Sequence, residues 1–318
     1  MLIDIHVHTK RQPAPPRRPG AEGYATPEQL LDMYAQIGVQ TAVILPSVNP
    51  ECAFAIDSVE EALDIAAQYP GRFVPFCNID PRMVDNSPDA DLGFLMDYYR
   101  ERGCPGIGEV CANLPFDDPL VQNLCRHAER CGMLLTFHVA TRRGGTYGLI
   151  DDLHLPRFER LAHQFPALKF LCHSQAFWSE ISGDVTEETR GGYPKTPVRE
   201  GGKVVQLFRE CPNVYGDLSA GSGYNAVSRD AEFGYWFLTE FQDRLCFGTD
   251  VCAPKNRQDV LVWLADFLRQ ALAAGKITQT VYDKVTHGNA ARLLGLPTAD
   301  LAGGAQGGTS PTAGRGGA

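Results

Sequence analysis

Two histidines one residue apart, His6 and His8, close the first apolar run of the chain, Leu2-Ile3-Asp4-Ile5. In an extended strand, side chains two positions apart share a face. Both imidazoles can therefore approach one metal ion while Val7 turns into the packing behind them. Three more residues of ligand type end short apolar runs downstream. They are His138 after Leu134-Leu135-Thr136-Phe137, His173 after Phe170-Leu171-Cys172, and Asp250 after Phe247-Gly248-Thr249. Imidazole and carboxylate are the donors that zinc and similar divalent ions take. A carboxylate at Asp250 can also accept a proton from water acidified by such an ion, and His173 can bind metal or act on the substrate. The bland alternatives are hydrogen-bonded histidines at strand ends and a helix cap at Asp250. A lone His-x-His pair does not decide between these readings; three matching strand-end residues favour a metal site.

Glu109 ends a further run, Gly106-Ile107-Gly108-Glu109-Val110. A glutamate there can bridge a second metal, orient a water, or simply pair with a cation. Cys111 and Cys252 lie two residues beyond Glu109 and Asp250, where packing is the plainer role. The other four histidines, His127, His154, His163 and His287, fall in helical or loop patterns and read as ordinary surface or capping residues.

These candidates need elements to carry them to one place. Apolar runs recur at intervals of about thirty to forty residues, the spacing of βα units. Strands are expected near 2–6, 41–45, 73–77, 106–110, 134–138, 168–173, 213–217 and 245–249. Helical stripes separate them. One is capped by Asp117 or Asp118 with Pro119 at the first turn; another uses Leu155, Phe158, Leu161, Ala162 and Phe165 before Pro166; a third runs from Val260 to Leu272. Eight alternating units suggest an α/β fold of the (β/α)8 TIM-barrel class as one domain over 1–297. A doubly wound open sheet is the alternative, but it does not easily bring the first, fifth, sixth and eighth strand ends together. Two segments break the pattern, 10–24 and 174–202, and both would lie at the carboxyl end of a barrel, where active sites form. Residues 298–318 are Gly, Ala, Thr and Pro with almost no large apolar side chain and read as a disordered tail.

Composition narrows the function classes. The 318 residues are 44% hydrophobic and 21% charged, as in an ordinary soluble globular protein, and the formal charge of −9 argues against a nucleic-acid partner. No apolar run approaches the roughly 20 residues of a membrane helix. No signal peptide is expected, because the first strand already carries the ligands. The ten cysteines form no C-x-x-C pair and read as reduced, mostly buried residues of a cytoplasmic protein. Association into a homo-oligomer is compatible with all of this and is left open.

Taken together, His6-Val7-His8, His138, His173 and Phe247-Gly248-Thr249-Asp250 resemble the amidohydrolase superfamily. More closely they resemble its amidohydrolase-2 branch, which includes the relatives of aminocarboxymuconate-semialdehyde decarboxylase. The resemblance runs from Leu2 to about Leu296 and takes in Gly288-Asn289-Ala290-Ala291-Arg292-Leu293-Leu294-Gly295-Leu296, similar to that branch's usual last helix. It implies a barrel holding a divalent ion, Zn2+ first among the candidates, as one ion or two. By the family pattern His6, His8, His138 and Asp250 hold the metal, and His173 polarises the substrate or positions the water. The chain departs from the branch's decarboxylases in carrying Gly108-Glu109 at the end of the fourth strand, as TatD-like hydrolases do. This tilts the expectation toward hydrolysis and makes Glu109 a candidate ligand. The carboxylatable lysine of binuclear amidohydrolases has no counterpart in the fourth strand.

The expected activity is hydrolysis of a small carboxylated lactone, amide or ester through metal-activated water. The rivals are a nonoxidative decarboxylase of the same fold, a TatD-type nuclease disfavoured by the acidic charge, and a noncatalytic barrel disfavoured by the complete ligand set. Lys10, Arg11, Arg17 and Arg18 after the first strand, and Arg142 and Arg143 after His138, can steer an anionic substrate inward or form a solvated surface. Tyr147, Phe177 and Trp178 lie in the loops after His138 and His173 and suggest a planar substrate; Arg142, Tyr147 and Trp178 are the candidate substrate contacts.

Overall fold

The computed structural model describes residues 1–51 and 53–297, so the expected tail at 298–318 lies outside the described residues. Among the described residues nine strands alternate with helices: β1 (Leu2–Val7), β2 (Val39–Ile44), β3 (Phe73–Pro75), β4 (Gly106–Val110), β5 (Leu134–Ala140), β6 (Leu149–Ile150), β7 (Phe170–His173), β8 (Val214–Asp217) and β9 (Leu245–Cys246). All ladder pairs are parallel. One sheet runs β1-β2-β3 and the other β4-β5-β7-β8-β9, with the two-residue β6 paired to β5. Eight of these strands are those expected; β6 is an addition inside the loop after β5.

The seams between the sheets decide against the open alternative. Cys77 donates its N–H to Gly106 O at 3.0 Å and accepts from Gly108 N at 2.8 Å, which joins the end of β3 to β4. Ile5 N donates to Phe247 O at 3.0 Å, Asp250 N to His6 O at 2.9 Å and His8 N to Val251 O at 3.0 Å, which joins β1 to the continuation of β9. Only a closed ring lets the first and last strands pair, so the fold is a (β/α)8 barrel.

Two apolar layers hold it together. The strands' outward residues pack with the helices, as Phe137, Phe170 and Val214 do against Phe158, Phe177 and Phe208. Their inward residues, among them Ile3, Ile5, Val43, Phe76, Leu134, Leu171, Tyr215 and Cys246, fill the barrel. The closing helix Asn289–Leu294 seals the amino-terminal end with Ala290, Ala291, Leu293 and Leu294. Asn289 fastens it by donating to Gln242 O at 2.6 Å and Leu245 O at 2.8 Å. With one end plugged, the functional face is the other.

Sequence signals set the helix limits. Asp118 caps helix Pro119–Cys131 by accepting from Leu120 N at 2.9 Å, with Pro119 in the first turn and Gly132 in the left-handed conformation at the end. Helix Pro156–Gln164 stops short of Pro166, and helix Val260–Ala273 covers the expected apolar stripe. Segment 174–202 is anchored by a buried ion pair. Arg190 Nε lies 3.8 Å from Glu180 Oε1, and Arg190 Nη1 donates to Asp151 O at 3.2 Å. Among the described residues no helix is long and apolar enough to cross a membrane.

Candidate active site

Strand alternation delivers most of the site. Along β5 the inward set is Leu134, Thr136 and His138; along β7 it is Leu171 and His173; along β8 it is Tyr215 and Asp217. In β1 the inward Ile3 and Ile5 are followed by His6 and His8, a change of parity. The register of β1 against β2 is irregular between Asp4 and Val7, which permits it, and Val7 packs outward. Asp4 braces this irregular stretch. Its buried carboxylate accepts from His6 N, Thr249 N, Thr249 Oγ1 and Tyr34 Oη, at 3.1, 2.9, 2.5 and 2.6 Å. Burial pushes its carboxyl up to about 6 despite those bonds.

The remaining ligands need unusual backbone. Gly108 has φ +146°, and a Cβ there would fall 2.7 Å from Thr136 O, so a glycine must precede Glu109. Asp250, Ser174 and Ala220 carry positive φ values of 55°, 111° and 60° at the ends of three strands. Such conformations cost about 1–3 kcal/mol each and persist where neighbours dictate them; the Asp250 N–H bond to His6 O is one such constraint.

The side chains converge. His6 Nε2 and His8 Nε2 lie 3.1 Å apart. His6 Nδ1 donates to Asp217 Oδ2 at 2.6 Å and His8 Nδ1 to Leu45 O at 2.9 Å, so both Nε2 lone pairs face the same point. Asp250 Oδ1 is 3.7 Å from His6 Nε2 and 3.6 Å from His8 Nε2, and Glu109 Oε2 repeats those two distances. The other oxygen of each carboxylate turns toward the remaining histidines. Glu109 Oε1 lies 2.9 Å from His138 Nδ1 and 3.9 Å from His173 Nε2, and Asp250 Oδ2 is also 3.9 Å from His173 Nε2. His173 Nδ1 is 3.0 Å from Ser219 Oγ and 3.4 Å from Asp217 Oδ2.

This donor set fits a divalent ion. Two lone pairs at 3.1 Å repel unless a proton or cation lies between them, and two imidazoles on one tetrahedral zinc sit about 3.3 Å apart. The electrostatics agree. Burial disfavours an imidazolium at His6, yet Asp217, backed by Asp250 and Glu109, pushes it up to about 10. Burial likewise opposes charge on Glu109, but His138 and His8 hold its carboxyl well below the usual range. Without a cation, the carboxylates draw a proton onto His6 instead. His6, His8 and Asp250 form one close ligand group, and His6, Glu109 and His173 form a second.

The structure places the expected residues unevenly. His6, His8, Glu109, His173 and Asp250 come together at the strand ends. His138 reaches the same centre, but its Nδ1 faces Glu109 and not the His6–His8–Asp250 group. Tyr147 lines the cavity above the site and lies against His138, 4.4 Å between ring centroids. Trp178 does not reach it: the indole is buried against Phe177 and Phe237, in room left by the missing side chain of Gly216, and donates to Asp217 O at 2.9 Å. Phe177 is equally buried. Arg142 is exposed on the loop after β5 and does not line the cavity, so the expected Arg142 and Trp178 substrate contacts are both corrected. Cys111 and Cys252 do line it, with their thiols pushed up by burial, Cys252 to about 12.

Sequence reasoning missed Asp217. The pattern Tyr215-Gly216-Asp217 at a strand end repeats the parity of Leu171-Cys172-His173 and would have flagged it. Carboxylates that orient a ligating histidine typically contribute 10–100-fold in metal affinity. Asp217→Asn is expected to weaken Zn2+ binding by about that factor, measured by competition with a chromophoric chelator; unchanged affinity would remove Asp217 from the site's machinery.

The family model described as amidohydrolase matches residues 3–296. The chain belongs to the amidohydrolase family. Solved structures similar to this amidohydrolase share its fold at low identity. An uncharacterised TIM-barrel protein of Bordetella bronchiseptica is 18% identical, with TM-score 0.61 and coverage of 92% of this chain and 98% of that one. A probable 2-pyrone-4,6-dicarboxylic acid hydrolase of Acinetobacter baumannii, with citric acid bound, is 13% identical, with TM-score 0.55 and coverage of 93% and 99%. A 2,6-dihydroxybenzoate decarboxylase from Rhizobium is 16% identical, with TM-score 0.53 and coverage of 92% and 99%. No curated protein matches the sequence.

Proposed function

We propose that this amidohydrolase is a metal-dependent hydrolase of a small carboxylated lactone, amide or ester. The observation that carries the reading is the placement of Glu109. Its Oε2 faces the His6–His8 pair and its Oε1 faces His138 and His173, an arrangement suited to bridging two cations. His6, His8 and Asp250 would hold one ion, and His138 and His173 the other, with Zn2+ the first candidate. When bound, such an ion supplies Lewis acidity that makes water nucleophilic near neutral pH.

The chain's own groups complete the chemistry. Asp250 has one oxygen toward the His6–His8 pair and the other toward His173 Nε2, and its side chain is 26% exposed to the cavity. It is placed to accept the proton released as water attacks and to return it to the leaving group. His173, fixed at Nδ1 by Ser219 and Asp217, turns its Nε2 lone pair toward Glu109 and Asp250, where it would hold the second ion beside the oxyanion that develops at the carbonyl. The cavity of about 610 Å³ admits a small organic acid. The fold shared with a probable pyrone-dicarboxylic acid hydrolase supports hydrolysis, and the decarboxylase of the same fold supplies the rival. The cysteines among the described residues are free, which accords with a cytoplasmic setting.

Turnover of a panel of carboxylated lactones and aryl esters in 18O-labelled water tests the reaction. Hydrolysis puts one labelled oxygen into the product carboxylate. Release of carbon dioxide with no label in the remaining product would replace this reading with the decarboxylase.

A further inference from the structure

The cavity's wall has a direction. From the ligand group it begins at His8, whose ring lies 6.5 Å from that of Tyr24. Tyr24 stacks on Phe54 at 5.5 Å with 15° between planes. Beyond them Arg17 sets its guanidinium 5.5 Å from the Phe54 centroid. The stacked pair lines the cavity with His8 on the Tyr24 side and the Arg17 cation on the Phe54 side.

Arg17 differs from Lys10 and Arg11 on the same segment. Lys10 is engaged by Asp57 and Glu61, at 2.7 and 3.0 Å, and Arg11 has Asp64 at 3.8 Å. Arg17 has no carboxylate or hydrogen-bond acceptor as partner among the described residues, and it is the only lysine or arginine among those lining the cavity. Partial burial opposes its charge, and Asp250 is the anionic group among its surroundings that favours it. An unpaired guanidinium over an aromatic face is a ready partner for a carboxylate, which it can grip with two parallel N–H bonds.

We propose that Arg17 binds a carboxylate at the end of the substrate distal to the reacting carbonyl, and that Tyr24 and Phe54 select a planar ring between the two. This rests on the hydrolase reading above and specifies its substrate class: cyclic or aromatic acids whose carboxylate is a handle, not the group that reacts.

The test uses the full-length, metal-loaded protein and calorimetric titration with benzoate, isophthalate and terephthalate. Benzoate carries one carboxylate for the ligand end; the other two add a second at different spans. Wild type is expected to bind at least one dicarboxylate about tenfold to a hundredfold more tightly than benzoate, the range of a charge-assisted hydrogen-bonded contact. Arg17→Gln, at an exposed side chain, is expected to abolish that preference, and Arg142→Gln to retain it. A preference that survives in Arg17→Gln, or is missing from wild type for both dicarboxylates, overturns the proposal. The hydrolase reading fails separately: a dicarboxylate preference dependent on Arg17 in a protein that incorporates no label from water leaves this subsite standing and removes the reaction.

Discussion

Asp250→Asn is expected to lower kcat by about a thousandfold, within the range that a positioned general acid–base contributes, while metal content stays near that of wild type. Asparagine keeps the shape of the side chain and an oxygen donor toward the His6–His8 pair. What it loses is the second carboxylate oxygen, 3.9 Å from His173 Nε2, which is the one free to take a proton. Backbone geometry sharpens the prediction. Asp250 sits at φ 55°, tied to His6 O by its own N–H, and asparagine tolerates left-handed backbone well, so the substitution changes chemistry more than position. Elemental analysis and kcat on the same preparation check it. Wild-type turnover in a fully loaded variant would remove the proton-transfer role of Asp250.

Glu109→Gln is expected to reduce bound metal from about two equivalents per chain to about one and to cost activity by a further large factor. The carboxylate faces both histidine pairs, and an amide cannot carry the negative charge that holds two cations close together. The variant also leaves His138 Nδ1 without its carboxylate partner. Because Glu109 is buried, its charge is compensated locally, so the effect is expected to persist at high salt. Elemental analysis of wild type and variant measures it. One equivalent in both proteins would make the site mononuclear and return Glu109 to a role in orienting His138.

Much of this centre is legible in the sequence because barrel strands obey a local rule. Inward and outward residues alternate, and the last inward residue of each strand faces the mouth. His138 and His173 follow from that alone, as Asp217 would have. His6 and His8 were legible as a pair, since their shared face depends only on their spacing. Glycine at 108 and Asp250 beyond the last strand mark places where the chain leaves regular geometry, visible as Gly108-Glu109 and Gly248-Thr249-Asp250.

Other features were decided only by tertiary contacts. The parity change in β1, which points Ile5 and His6 both inward, depends on Asp4 finding Thr249 across the barrel seam. Trp178 looks like a loop aromatic until Gly216, on another strand, is seen to leave space for it. Arg142 and Arg17 carry the same charge near the same mouth. Segment 10–24 brings Arg17 over Phe54 and into the cavity, while the loop after β5 leaves Arg142 in solvent. The sequence by itself determined the barrel, the metal-type donors and the face they share, because each depends on residue type and a period of two. Which oxygen meets which nitrogen, and which arginine meets the substrate, was decided by segments up to 245 positions apart, whose encounter no local pattern encodes.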